Sequence, residues 1–190
     1  MTERQTAQAG KIIFLHGASS SGKSTLARAL QSTIGQPFWH VSIDHLRDAG
    51  VLPSARIKSG EFAWSGMRKA FFGGFHGSLA AYAASGNNLI VEHILDTPGW
   101  HGDLAALLKP FEVFFVAVHC PLGELIRREQ QRGDRGIGSA EKDFHAIHQG
   151  VNYDLELQTA SGVDANVQRI IAGWAARKGG SNFFVLPAPI

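Results

Sequence analysis

The sequence lacks most features of secreted and membrane proteins. Cys120 is the only cysteine among 190 residues, so no disulfide can form within the chain, and we expect a reducing compartment. Residues 1–10 are polar and lack the apolar core of a signal peptide. The most hydrophobic stretch, 113–118, is far shorter than the roughly 20 residues that a membrane-spanning helix needs. These absences predict a cytoplasmic protein without a membrane partner.

Clusters of like charge are also missing. The net charge is +2, and the lysines and arginines are scattered, so no basic stripe indicates a nucleic-acid partner. We find no internal repeat, low-complexity linker or domain boundary, and 190 residues suit one domain. We therefore predict a single domain over residues 1–190 with a flexible N-terminus at 1–10. The oligomeric state stays open, a homo-oligomer included.

What the sequence does contain is an alternation of two kinds of segment. Short, continuous apolar runs are typical of strands buried on both faces, and they occur at 12–15, 38–43, 89–91 and 113–118. Between them, apolar residues recur at the three- and four-residue steps of a helix, with stretches beginning at Leu26, Trp64 and Leu122. This alternation predicts an α/β fold with a parallel sheet covered by helices on both faces.

The C-terminal third continues the pattern more weakly. Alternation at 153–157 predicts a fifth strand, and 163–176 predicts a closing helix. Asp164 is the expected N-cap of that helix, and the glycine pair at 179–180 is expected to end it. The tail at 182–190 is expected to add a short strand.

A glycine-rich segment follows the first predicted strand. Residues 17–24 read GASSSGKS and match G-x-x-x-x-G-K-[ST], in the strand-to-helix setting that the motif requires. Such a turn directs several N–H groups at one anion, and the helix N-terminus adds its positive end. Lys23 would reach the outer phosphates and Ser24 would bind Mg²⁺, so the segment predicts ATP and Mg²⁺ as cofactors. The predicted nucleotide-binding residues here are Gly17, Ala18, Ser19, Ser20, Ser21, Gly22, Lys23, Ser24 and Thr25.

An acid ends each of the next two predicted strands, at the edge of the sheet where ligands bind in such folds. Asp44 is the candidate base that accepts a proton from an acceptor hydroxyl. The alternative is that Asp44 caps the segment that follows it. Glu92 is the candidate second Mg²⁺ ligand beside Ser24, although an acid at a strand end also serves solubility alone.

Four arginines follow the fourth predicted strand. Arg132 and Arg135 flank a glycine and are the candidate catalytic residues of a lid at about 127–145 that closes over ATP. Arg128 and Arg132 are also predicted to bind the nucleotide phosphates. For Arg127 and Arg128 the alternative is an exposed helix that carries a Glu124–Arg128 ion pair.

These motifs lie in blocks that resemble the chloramphenicol phosphotransferase family of P-loop kinases, which is related in fold to shikimate and nucleotide kinases. The likeness runs from about residue 11 to 159. It rests on GASSSGKST at 17–25, SIDHL at 42–46, NNLIVEHIL at 87–95, HCPLGELIR at 119–127, RGDRG at 132–136 and HQGVNYDLEL at 148–157. The resemblance implies a five-stranded parallel sheet, Asp44 as base toward the primary hydroxyl of the antibiotic, and Arg132 and Arg135 as lid arginines.

The chain departs from the family pattern near the expected metal and lid sites. Glu92, followed by His93, stands where relatives have aspartate. Gln158 replaces an aspartate that often follows the fifth strand, and Asp143 replaces a glutamine that commonly follows the lid. These changes bear on the magnesium site and the lid rather than on the fold.

The predicted acceptor is a hydroxylated small molecule. An aromatic cluster follows Asp44 and comprises Phe62, Trp64, Phe71, Phe72 and Phe75. It either lines a pocket for a nitrophenyl-like group or belongs to the core, because an apolar stripe at helical spacing is buried by default. Two other functions fit the same motifs. One is a kinase of nucleotide-sugars, as in zeta-type toxins, and the other is a nucleotide-binding regulator without a small acceptor.

Overall fold

A parallel five-stranded sheet forms the centre of the computed structural model, which describes residues 8–132 and 138–187. The strands are β1 Ile12–His16, β2 Phe38–Ser42, β3 Asn88–His93, β4 Val113–His119 and β5 Leu155–Gln158. Their order in the sheet is β2-β3-β1-β4-β5. The four apolar runs predicted as strands are therefore strands, and the predicted α/β fold class is confirmed.

Eight α-helices are present in the described residues: α1 Lys23–Thr33, α2 Ile43–Asp48, α3 Ser54–Lys58, α4 Trp64–Ala84, α5 Trp100–Leu108, α6 Leu122–Arg132, α7 Ser139–Ala146 and α8 Val163–Ala176. Short 3-10 helices add Thr159–Ser161 and Asn182–Phe184. Within the described ranges, no helix is both long enough and apolar enough to cross a bilayer.

Helices cover both faces of the sheet. Helices α1 and α8 pack through Leu30 and Ile170 against the face that carries Ile13. Helices α4 and α5 cover the opposite face through Leu79 and Leu104. Because both faces are buried, successive strand residues must all be apolar, which explains the continuous runs in the sequence.

The carboxyl ends of the strands meet at one edge of the sheet. Strand β1 lies between β3 and β4, so the loop after β1 begins where the connections diverge to the two sides. Register places Ser42 beside Glu92 and Leu15 beside Glu92, which brings the ends of β2, β3 and β1 together. The predicted phosphate loop and both predicted acids therefore follow neighbouring strands.

The C-terminal third differs from prediction in detail. Strand β5 begins at Leu155 rather than at residue 153, because the carboxylate of Asp154 accepts the N–H groups of Phe115 and Asn182 at 2.8 Å each. Helix α8 has the predicted bounds, but Gly162 occupies its N-cap position, so the assignment of Asp164 as cap is wrong.

The end of the chain is also different. Helix α8 ends at Ala176, and Gly179 and Gly180 lie beyond it, so they do not cap it. A strand was predicted at 182–190, of which 188–190 lie outside the described residues. In the described part, Asn182–Phe184 forms a 3-10 helix, capped by the hydroxyl of Ser181, which accepts the N–H of Phe183. This helix instead brings the buried ring of Phe183 into the core beneath α5.

Candidate active site

The segment after β1 is the tight turn that the sequence predicts. Gly22 adopts φ 93°, a backbone conformation that favours glycine, and α1 begins at the next residue. A Cβ on Gly17 would lie 2.5 Å from the carbonyl oxygen of Val118, so β4 leaves room only for glycine there. The turn closes with the N–H of Ser21 donating to Ala18.

Lys23 lies over this turn rather than in solvent. Its Nζ donates to the carbonyl oxygens of Gly17 and Ala18 at 2.7 Å each, and Lys23 as a whole is only 8% exposed. A cation is therefore held inside the loop, at the point where the motif places phosphate oxygens.

Ser24 and Glu92 form the oxygen pair predicted for magnesium. The Ser24 hydroxyl donates to Oε2 of Glu92 at 2.7 Å, and His40 hydrogen-bonds the other carboxylate oxygen. Burial opposes ionisation of Glu92, but the hydrogen bonds from His40 and Ser24 outweigh it and hold the pKa of the carboxyl below its usual value. A hydroxyl and an ionised carboxylate are the hard oxygen donors that Mg²⁺ prefers, so these residues fit that ion.

Asp44 lies in the first turn of α2, not at its cap. Ser42 is the N-cap, and its Oγ accepts the N–H of Asp44 at 3.3 Å, so the hypothesis that Asp44 caps the helix is wrong. The Asp44 carboxylate lies 3.3 Å from the guanidinium of Arg47 and is partly exposed. It lines a cleft of about 790 Å³ that the phosphate loop also lines.

Two arginines of α6 pair with Glu124, and the pair with Arg128 is the one that the alternative predicts. Arg127 and Arg128 each approach Oε1 of Glu124 at 2.6 Å, and their hydrogen bonds lower the pKa of that carboxyl to about 2. Arg128 also reaches to 3.5 Å from the carbonyl of Ser20 and lines the cleft. Arg132 ends α6 on the cleft wall. Arg135 lies outside the described residues.

Asp143 is part of the site although the sequence assigned it no role. It lies on α7, is buried, and accepts the N–H of Ser19 in the loop at 2.9 Å. Burial raises the pKa of this carboxyl, and the Ser19 hydrogen bond partly opposes the rise. The one signal in the sequence was the departure from glutamine at this position.

The other half of the cleft is aromatic. Trp64, Arg68 and Phe72 follow one another at four-residue steps on α4, so they lie on one face of that helix and line the cleft. The Arg68 guanidinium lies 4.9 Å from the ring centroid of Phe72 and 4.5 Å from that of Trp100. Asp96 accepts two hydrogen bonds from the same guanidinium.

The predicted aromatic cluster is thus divided between pocket and core. Phe75 is fully buried between α4 and the sheet, whereas Trp64 and Phe72 face the cleft. Phe71 packs on Trp64, and Phe62 packs under the guanidinium of Arg56.

Two buried histidine networks support the site from below. His16, directly before the loop, bonds the carbonyl of Ile94 through Nε2, so its Nδ1 accepts the Tyr153 hydroxyl at 2.8 Å. The Tyr153 oxygen then accepts from Nδ1 of His148 at 2.7 Å. Burial lowers the pKa of His16 well below its usual value, and burial with the nearby His119 lowers that of His148 to about 4.

The second network lies under the aromatic half. Nδ1 of His93 accepts the N–H of Leu95 at 2.8 Å, so its Nε2 carries the proton and donates to Nε2 of His76 at 2.9 Å. Burial, reinforced by His76, lowers the pKa of His93 well below its usual value. Both networks therefore rest on neutral imidazoles.

Comparisons with known proteins agree with this arrangement. A Mycobacterium tuberculosis (strain H37Rv) protein, provisionally named an O-phosphotransferase, is 30% identical over 171 residues, covering 80% of this chain and 76% of the relative. The M. tuberculosis APS kinase, solved with AMPPNP and APS, matches with a TM-score of 0.64 and 20% identity over 88% of this chain and 99% of that one. The Bacteroides thetaiotaomicron shikimate kinase matches with a TM-score of 0.58 and 14% identity over 87% and 98% of the two chains.

The structural likenesses establish a fold shared with P-loop kinases. The sequence model of the family described as "Chloramphenicol phosphotransferase-like protein" matches residues 10–174, which is most of the chain. The protein therefore belongs to the chloramphenicol phosphotransferase-like family.

Proposed function

We propose that the protein transfers the γ-phosphoryl group of ATP to a hydroxyl of a small molecule. The observation that carries the proposal is that the phosphate loop and Asp44 line one cleft. A phosphoryl donor and a base for the acceptor can thus meet across it. In the reaction a bond forms from the acceptor oxygen to the γ-phosphorus as the bond to ADP breaks, and Asp44 takes the hydroxyl proton.

The nucleotide half of the proposal uses the loop and the residues around it. The backbone N–H groups of residues 17–25 and Lys23 would hold the phosphates, while Ser24 and Glu92 would hold Mg²⁺, which balances phosphate charge when bound. Arg128 and Arg132 on the cleft wall would add positive charge to the phosphates, with Arg135 as a further lid arginine.

The acceptor half of the proposal uses the aromatic side of the cleft. Trp64 and Phe72 are partly exposed rings that line the same cleft as Asp44, which suits a hydroxylated acceptor with an aromatic group. Chloramphenicol, which is named in the description of the family, is the first acceptor to test. We place the reaction in the cytoplasm on the grounds of the single cysteine.

The decisive test is Asp44→Asn, compared with Asp48→Asn as a matched control. Asp48 lies on the same short helix and on the same cleft, and it also pairs with Arg47. Loss of a general base should lower the rate of transfer by about 100- to 10,000-fold. ATP affinity, measured by calorimetry, should stay close to wild-type in both variants, and Asp48→Asn should keep most of its transfer activity.

The acceptor is sought with radiolabelled ATP and a panel of chloramphenicol, other hydroxylated antibiotics, sugars and nucleotide-sugars. Full transfer by Asp44→Asn would remove Asp44 from the role of base. Phosphorylation of nucleotide-sugars alone would favour the zeta-toxin-type alternative. ATP binding without any phosphorylated acceptor would favour the regulator.

A further inference from the structure

Three potential metal ligands converge beside the phosphate loop. They are His40 on β2, His45 on α2 and Glu92 on β3, and their ligand atoms all lie within 4.8 Å of one another. The register of the sheet explains the meeting, because Glu92 pairs with Ser42 and His40 lies two residues before Ser42 on the same face of β2. Helix α2 then turns back so that His45 reaches the same point.

The three side chains are held in different ways. Those of His40 and Glu92 are 6% and 5% exposed and are hydrogen-bonded to each other. The other oxygen of Glu92 is fixed by the Ser24 hydroxyl at 2.7 Å. The ring of His45 meets that of His40 edge-on at 4.5 Å between centroids, and His45 itself is exposed on the wall of the cleft. An ion can therefore reach the buried pair from the cleft past His45.

We propose that His40, His45 and Glu92 bind a divalent cation of the zinc class. Two imidazoles and one carboxylate form a ligand set that Zn²⁺ uses when a fourth position stays open to water or substrate. Mg²⁺ prefers oxygen ligands and binds imidazole poorly, so the two histidines select against it. When the cation takes the place of the proton on Nε2 of His40, the neutral ring carries its single proton on Nδ1 instead, so the step needs only this change of tautomer.

Because Glu92 belongs to both candidate metal sites, metal binding by the histidines affects nucleotide binding. Ser24 and Glu92 fit Mg²⁺, and Glu92 also belongs to the histidine site. The Glu92 carboxylate would thus be a ligand of both Mg²⁺ and Zn²⁺, and the two ions would compete for it. Bound Zn²⁺ therefore lowers the affinity for Mg·ATP, and saturating Mg·ATP lowers the affinity for Zn²⁺.

The test is metal binding by the full, metal-free chain, which requires no enzymatic activity and so is independent of the proposed function. Zn²⁺ is titrated by calorimetry, and Co²⁺ is added as a spectroscopic probe whose absorption reports imidazole ligation. We compare wild-type, His45→Ala and His145→Ala, in which the control removes an exposed histidine from α7. Because His45 is also exposed, its removal should not disturb folding.

Wild-type and His145→Ala should bind one Zn²⁺ with equal affinity. His45→Ala should bind at least about tenfold more weakly, since even loss of an outer-shell partner costs 10- to 100-fold. Equal affinity in all three proteins, or no Zn²⁺ binding by wild-type, would overturn the proposal. Glu92→Gln provides a second variant, and it should weaken Zn²⁺ binding by a similar factor.

Discussion

At the scale of single residues, Asp143 is a buried carboxylate that contacts the phosphate loop. Its carboxylate is buried on α7, yet it accepts the N–H of Ser19, which is itself buried in the phosphate loop. Burial disfavours the ionised form, so the value of this side chain lies in its acceptor oxygen rather than in its charge. It connects α7 to the glycine-rich loop that follows β1.

We therefore expect Asp143→Asn and Asp143→Leu to differ. The leucine variant leaves the buried N–H of Ser19 without an acceptor and should lose about 1–3 kcal/mol in the free energy of unfolding. The asparagine variant keeps a carbonyl oxygen and should lose much less. Urea unfolding at pH 7.5 measures both, and equal losses in the two variants would mean that the hydrogen bond is not what matters.

Some residues of the candidate site could be predicted from the sequence, and others could not. Lys23, Ser24 and Asp44 were found because a short motif or a strand end points to them. Ser19 and Asp143 are 124 positions apart, and His40 and Glu92 are 52 positions apart. Such pairs arise from the packing of distant elements, and no local pattern encodes them.

At the scale of elements, α4 both lines the cleft and packs on the sheet, although its glycines lower its helix propensity. Its first half carries Trp64, Arg68 and Phe72 to the cleft, and its second half packs on the sheet through Leu79. Four exposed glycines interrupt it, and a Cβ at each would meet nothing within 4 Å: Gly66, Gly73, Gly74 and Gly77. Glycine inside a helix leaves more freedom to the unfolded chain and so lowers stability.

Gly74→Ala should therefore raise the free energy of unfolding by about 0.5–1 kcal/mol. The matched control is Gly173→Ala in α8, where a Cβ would lie 3.0 Å from the ring of Phe114. The same gain in helix propensity is offset there by crowding in the core, so we expect no stabilisation. Guanidinium unfolding of both variants measures the contrast, and equal effects would contradict it.

The elements that the sequence predicted well are those with a single structural requirement. Strands buried on both faces need continuous apolar residues, and α8 shows its full length through its apolar period. The start of β5 and the tail could not be predicted from local patterns. The Asp154 carboxylate accepts the N–H of Phe115 and the hydroxyl of Ser181, and the Ser181 oxygen accepts the N–H of Phe183. Helix α5 was missed, although Trp100, Leu104 and Leu108 follow helical spacing.

At the scale of the whole molecule, histidines that stay neutral in the folded state predict a loss of stability in acid. Burial lowers the pKa values of five imidazoles: His16, His76, His93, His101 and His148. Unfolded histidines take up protons below about pH 6.5, whereas these folded ones stay neutral. The unfolded state then binds more protons, so the folded state loses stability as the pH falls.

We expect the free energy of unfolding to decline from pH 6.5 downwards rather than only near the carboxyl range. Each histidine that stays neutral adds about 1.4 kcal/mol per pH unit to the slope. His148→Gln should make the decline shallower in the window between pH 6.5 and its folded pKa of about 4. His145→Gln, at an exposed position, is the control. Urea midpoints that stay constant from pH 7.5 to 5.5 would contradict this prediction.

The whole-molecule organisation was also the part most accessible from sequence. Alternating strand and helix patterns require a parallel sheet, and a parallel sheet brings the loop after β1 and the acids after β2 and β3 to one edge. Which aromatic rings face the cleft depends on how α4 is rotated against the sheet. That rotation is decided by the packing of Phe75 and Leu79, which composition alone does not reveal.

Lys23 gives the loop that follows β1 a further property. A lysine side chain that waited in solvent would lose up to about 2 kcal/mol of rotamer entropy when it met a ligand. Here two carbonyl oxygens already hold its ammonium in place. In the proposed function, phosphate oxygens would replace these carbonyl oxygens around an ammonium group that is already in place. The conformational entropy of the lysine side chain is therefore lost when the chain folds. The side chain would already be preorganised for phosphate binding.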